Sequence, residues 1–199
     1  MASHRAIDAA NSSWTEREAE LLAITLQLLR EQGYDGLTVE AVAVRANASK
    51  STVYKRWPSK ADLVLAAFIE STRDTSKPPN AGSLREDLLI LGRSARRQAQ
   101  EHSATVRAVL NVMSQSPALT AAMQEQFIRP RQAVVDAVLQ AAAERGEIST
   151  TALNTEISDL LPGYLVFRTL VTDRPPTDET VRILVDEVLL PILTGRSAG

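Results

Sequence analysis

Apolar residues recur at helical spacing along nearly the whole chain, and nowhere do they keep the two-residue rhythm of a half-buried strand. Leu21, Ile24 and Leu28 form the first stripe. Thr15 and Glu18 make a capping box ahead of it and Gly33 closes it, which predicts a helix over about 15–32. Trp14, just before the cap, reads as a packing residue. Val39, Val42, Ala43 and Ala46 give a second, shorter stripe behind the N-cap Thr38. Asn47 follows where a tight turn needs a residue that tolerates a left-handed backbone. Ser49 then caps a third helix that turns Val53 inward, and Ser59 with Asp62 opens a fourth over about 59–73, with Leu63, Val64, Ala67 and Phe68 on its buried side.

After a Pro- and Gly-bearing loop at 74–83 the helical pattern resumes. Ser83 and Glu86 form another capping box before Leu84, Leu88 and Leu91, predicting a helix to about Glu101 and a further one over 104–114. Ser116-Pro117 starts a long helix that reaches Glu144, kinked at Pro130 and ended at Gly146. The last two segments, 153–171 and 177–193, are separated by a Pro-rich turn, and Pro162-Gly163 is expected to interrupt the first. The pattern as a whole predicts an all-α fold of about nine helices.

Two short helices joined by a tight turn, with a small Ala43 allowing close approach, have helix-turn-helix geometry, in which the second helix enters the DNA major groove. The run ASKSTVYKRWPSKADL resembles the signature of the TetR family of bacterial transcriptional regulators: Val53, Tyr54, two variable residues, the aromatic Trp57, then Lys60. Upstream, EQGYDGLTVEAVAVRANAS carries the family's Gly-aromatic-x-Gly turn, Thr cap and helix. The resemblance spans about 14–70 and departs at Asn47 and Ser51, where Gly is common in the family. It implies an N-terminal three-helix DNA-binding domain over 14–60, its helix-turn-helix at about 38–57; the Ala/Ser/Asn-rich residues 1–13 ahead of it read as a flexible tail. It also implies a C-terminal helical ligand-binding and dimerisation domain over 61–199, connected through the fourth helix.

Net charge is −2, at first sight unfavourable for a nucleic-acid partner. The distribution reverses that impression. No acid occurs between Glu40 and Asp62, whereas Arg45, Lys50, Lys55, Arg56 and Lys60 all do. Lys50, Ser51 and Thr52 sit early in the third helix, the part that reaches base edges. By the resemblance, Thr38, Tyr54 and Lys60 hold phosphates, Lys55 serves either role, and Ser49 completes the DNA-facing set.

Chemistry of other kinds finds little support. The chain has no Cys, and His4 and His102 lack metal-ligand spacing. No catalytic constellation, metal site or cofactor is expected, and no apolar run reaches the roughly 18 residues of a membrane span. A cytoplasmic protein is expected.

The last two helical segments are apolar on more than one face: Leu160, Leu161, Leu165, Val166, Leu170 and Val171 fit no single stripe, nor do Val181, Ile183, Leu184, Val185, Val188, Leu189 and Leu190. A second apolar face implies a second buried contact. The resemblance implies that it is a homodimer interface. It also implies a small-molecule pocket in the C-terminal domain, for which the candidates are His102, Asn111, Met113, Gln115, Phe127, Tyr164, Phe167 and Arg168. With few aromatics after residue 70, the expected effector is largely apolar. The resulting expectation is a dimeric repressor of operator DNA released by a small molecule. The alternatives are a regulator of this fold with no small-molecule effector and a helical enzyme or interaction domain.

Overall fold

Hydroxyl side chains set the helix starts. Thr15 and Ser59 each accept from the backbone N–H three residues on, while Glu18 and Asp62 reach back to the cap, closing both expected boxes. Such a cap stabilises by about 1 kcal/mol. Ser83 also caps its helix, but Glu86 turns to Arg85 at 3.0 Å, so that box is only half made.

The structure, a computed structural model, describes residues 14–72, 77–113, 116–149, 155–172 and 174–195. The expected tail at 1–13, Gln115 and the start of the 153–171 segment lie outside them, as does the side chain of Asn111. The helices are α1 (Glu16–Gly36), α2 (Val39–Arg45), α3 (Lys50–Arg56), α4 (Lys60–Ser71), α5 (Leu84–Glu101), α6 (Ser103–Met113), α7, α8 (Thr155–Leu170) and α9. α7 begins as Pro117–Met123, widens into a π turn at Gln124–Ile128 and continues as Arg129–Glu144. α9 runs through Asp178–Ile183, a π segment Leu184–Leu189, and Leu190–Thr194. No strand occurs among the described residues.

Three expectations change in detail. Gly33 leaves helical geometry at φ 71°, but the chain resumes a turn to Gly36 before Leu37 donates back to the Gly33 carbonyl at 3.1 Å. The irregularity expected at Pro130 lies just before it. Proline removes an N–H and its ring crowds the carbonyl four residues back, Gln126, and the π turn holds that residue. Pro162-Gly163 does not break α8, which is continuous through Pro162. Packing of Leu161 and Leu165 into the core of its unit outweighs the one backbone bond lost.

The chain divides into two compact units. The first holds α1 to α4 with residues 104–128. Its core is Leu22, Leu28, Leu29, Leu37, Val42, Val53, Trp57, Leu63, Val64 and Phe68, with Val109, Leu119 and Met123. Burial of each large aliphatic side chain contributes about 1.5–3 kcal/mol. Phe68, near the end of α4, lies 4.7 Å from Phe127 between ring centroids. The second unit holds α5, the α7 segment from Arg129, α8 and α9. Leu84, Leu88, Leu139, Leu165, Val185, Leu189 and Leu193 fill it. Gly92 of α5 faces Val181 and Leu161, where a side chain would overlap the Val181 methyl. A polar clasp closes one end: Glu147 accepts from the Leu84 N–H at 2.8 Å and pairs with Arg145 at 2.6 Å.

Candidate nucleic-acid interface

α2 and α3 are too short to persist alone, since helices under about 12 residues are marginal in water. Their buried anchors hold them. Val42, Ala43 and Ala46 of the α2 region and Val53 and Trp57 of the α3 region are each at most 3% exposed. The turn between them carries Asn47 at φ 49°, the one described non-glycine residue with positive φ. The Ala48 N–H donates to Ala43 O at 2.8 Å, which closes the turn. Asn47 thus takes the left-handed conformation expected of it.

With Val53 and Trp57 turned inward, α3 presents Lys50, Ser51, Thr52, Tyr54 and Lys55 to solvent. Ser49 caps the helix by accepting from Thr52 N at 3.1 Å. Its hydroxyl also lies 2.8 Å from Ser51 Oγ and 2.7 Å from Thr52 Oγ1. The three hydroxyls therefore form one hydrogen-bonded cluster at the exposed start of the helix. Thr38 caps α2 through Ala41 N at 3.1 Å and stays exposed.

The cations expected to form a basic patch are mostly paired. Arg45 meets Glu31 at 3.1 Å, and Arg56 meets Glu18 at 2.7 Å while lying 4.8 Å from the Trp14 ring. Lys50 pairs with Glu40 of α2, 5.5 Å from the Tyr54 ring centre. The Lys60 ammonium donates to the Tyr34 carbonyl at 2.8 Å and stands 4.3 Å from that ring. Burial, with Asp35 and Asp62 nearby, pushes the Tyr34 phenol up, so it stays neutral. Lys55 has no acidic partner among the described residues and is exposed. Residues 14–72 carry eight acids against seven bases, so the interface is a local arrangement and not a net positive body. Glu18, Glu31, Glu40 and Tyr34 were not expected from the sequence as partners of these cations: Glu18 is legible there as a capping acid, and Tyr34 as the aromatic of the Gly-aromatic-x-Gly turn.

This geometry, an exposed short helix held by two buried anchors after a left-handed turn, has close counterparts. Residues 21–67 match the family model described as bacterial regulatory proteins, tetR family, and residues 78–188 match the tetracyclin repressor-like C-terminal domain. An uncharacterised HTH-type transcriptional regulator of Mycobacterium tuberculosis is 57% identical over 94% of this chain and 93% of its own length. The chain belongs to the TetR family of bacterial transcriptional regulators. A DNA-binding transcriptional repressor TetR of Mycobacteroides abscessus is 34% identical over 89% of this chain and 94% of its own. The crystal structure of the TetR family transcription regulator SCO0332 superposes with a TM-score of 0.69 at 30% identity, over 88% of this chain and 97% of its own.

The pocket candidates among the described residues fall in both units. Met113 and Phe127 belong to the first unit, and His102, Tyr164, Phe167 and Arg168 to the second. Tyr164 and Phe167 lie on the exposed side of α8, and Arg168 donates to Tyr164 Oη at 3.3 Å. His102 is buried at the end of α5. Each unit has an apolar recess of its own. One is lined by Tyr34, Ala61, Val64, Leu65, Val109 and Met113 among others. The other is lined by Leu88, Leu91, Leu139, Ser158, Leu161 and Leu189 among others. Among the described residues no cluster of His, Asp and Glu fits a metal, and no helix is long and apolar enough to cross a membrane.

Proposed function

We propose that this regulator is a cytoplasmic, homodimeric repressor that reads a palindromic operator with α3 and is released from it by a small, largely apolar ligand. The observation that carries the reading is the exposed face of α3, where hydroxyl, cationic and phenolic groups stand together on a helix fixed by Val53 and Trp57. Lys50, Ser51 and Thr52 meet base edges. Thr38, Ser49, Tyr54 and Lys60 hold phosphates and set the register, and Lys55 serves either role. Residues 14–60 form the DNA-binding domain, and 61–199 the effector and dimerisation domain with α4 as connector. No catalytic step is assigned.

The exposed stripe Leu160, Tyr164 and Phe167 on α8 with Val171 just beyond its end, and the exposed Ile183, Val188 and Ile192 on α9, support a second copy as the partner. Leu165, Val185 and Leu189 belong instead to the core of their own unit, at 1% exposure or less. The effector acts by binding one arrangement of α4 better than the other, and its effect cannot exceed that difference in affinity.

The recesses favour a second reading, a regulator without a small-molecule effector. Each holds only about 10 Å³, room for about one water, far short of the roughly 300–1,000 Å³ of ordinary ligand pockets. Site selection from random DNA, followed by titration of apolar molecules into the complex, tests both. A palindromic consensus and ligand-driven release support the repressor. A consensus that no such molecule disturbs favours the second reading, and no consensus contradicts both.

A further inference from the structure

Glu40 belongs to α2, yet its carboxylate touches α3. It lies in the first turn of α2 with its side chain 52% exposed, and its carboxylate pairs with Lys50 in the first turn of α3, itself 54% exposed. The other acid–base pairs of this region differ. Arg56 is partly covered and packed on Trp14, and Arg45 lies at the end of α2. Among the described residues, only in the Glu40 pair does the acid hold a cation of α3 that faces outward. Lys50 thus lies against Glu40 with the Tyr54 ring beside it. Each partner shifts the other's titration by their hydrogen bond, Glu40 downward and Lys50 upward, so both are charged at neutral pH.

We infer that Glu40 is an affinity-setting residue for DNA: it holds Lys50 aside and cancels its charge, so that DNA must displace a carboxylate before the recognition helix can use its leading cation. The inference rests on α3 being the DNA-reading helix. Its physical basis is competition. A phosphate or a guanine acceptor gains Lys50 only by replacing Glu40, and the freed carboxylate is left facing a polyanion. An exposed ion pair is weak in isolation. Beside DNA, however, one cation more or less changes the number of counterions released, and binding scales with salt by about 0.9 log units per phosphate neutralised. The fold places this brake where it acts on binding without touching the core, because neither side chain is buried.

The test is a double-mutant cycle on the full chain, with binding to an operator fragment and to random-sequence duplex measured by fluorescence anisotropy from low to high salt. Glu40→Gln should tighten binding to both, by up to about eightfold per protomer near 0.1 M salt, and steepen the salt dependence by up to about 0.9 per protomer in log–log slope. Lys50→Gln alone should weaken binding. In the Lys50→Gln background, Glu40→Gln should keep only the small gain from removing repulsion, with no change of slope. If Lys50→Gln weakens binding while Glu40→Gln changes neither affinity nor slope, the inference is overturned and α3 still reads DNA. A full gain from Glu40→Gln in the Lys50→Gln background also overturns it, because the effect then does not pass through Lys50. If Lys50→Gln has no effect on either DNA, the reading of α3 itself fails. Circular dichroism of Glu40→Gln, unchanged from wild type, confirms that the affinities compare folded proteins.

Discussion

The Lys60 ammonium donates to the backbone carbonyl of Tyr34 at 2.8 Å and stands over that residue's ring, 26 positions away in sequence. An ammonium has three donors, so this bond leaves others for a phosphate. The same lysine ties the start of α4 to the turn ahead of α2 and, in the proposed reading, offers charge to DNA. Lys60→Ala should weaken binding alike on operator and random DNA and reduce the salt slope by about 0.9 per protomer. Anisotropy titrations over a salt series check this. A change in base preference would contradict a phosphate role.

The turn of the helix-turn-helix is tested at Asn47, whose φ is 49°. Asn47→Gly should be neutral to mildly stabilising. Asn47→Val should cost about 1–2 kcal/mol, because a β-branched residue resists the left-handed region. Thermal unfolding of the two variants should therefore bracket the wild type, with Val clearly lower.

Much of this unit was legible because its determinants are local. Thr38 to Ala41, Ser49 to Thr52 and Ser59 to Asp62 are each three residues apart, within the reach of a pattern read along the chain. Asn47 was legible because few other residues accept its backbone. Lys60–Tyr34 and Lys50–Glu40 were not, since both depend on the angles at which separate helices meet. Neither was the fate of Pro162, which local rules treat as a break and tertiary packing overrides. On α8 and α9 the surplus of apolar residues was visible, but not its division. Leu165, Val185 and Leu189 turn inward while Phe167, Val171 and Ile192 turn out, and the π segment of α9 shifts the spacing from Ile183 to Val188 to five.

That division yields a paired prediction on assembly. Phe167→Glu with Ile192→Glu should leave the helical circular dichroism intact and shift light scattering from dimer to monomer. Leu165→Glu should instead unfold the second unit, because it places a charge in the core. A double variant that stays dimeric would contradict an interface on these faces.

Close approach of α5 and α9 depends on Gly92. A Cβ there would overlap Val181 and come within 3.4 Å of Leu161 Cδ1. Gly92→Ala gains helix propensity but should still destabilise by about 1–2 kcal/mol, as overpacking does. Denaturant unfolding measures it, and a stabilised variant would show that the helices can part at no cost.

Acid should loosen the clasp at Glu147. Burial alone would raise its carboxyl, but the Leu84 amide and the Arg145 guanidinium more than offset that and hold it below its ordinary value. A depressed carboxyl contributes stability above its unfolded pKa and loses it as pH falls through the folded one. Glu147→Gln should therefore melt below wild type at neutral pH, and the gap should shrink as pH falls below the ordinary glutamate value of about 4.3. A gap independent of pH would assign the loss to packing.

The central claim is that the outward face of α3 reads base sequence. Its most direct measurement is selection of binding sites from random duplex DNA by the wild type and by Lys50→Ala, Ser51→Ala and Thr52→Ala. The account predicts a palindromic consensus for the wild type. It also predicts altered preference at one or two positions of each half-site for at least Lys50→Ala and Thr52→Ala, with losses of about 1–3 kcal/mol at the base concerned. The same consensus from all four proteins would contradict it.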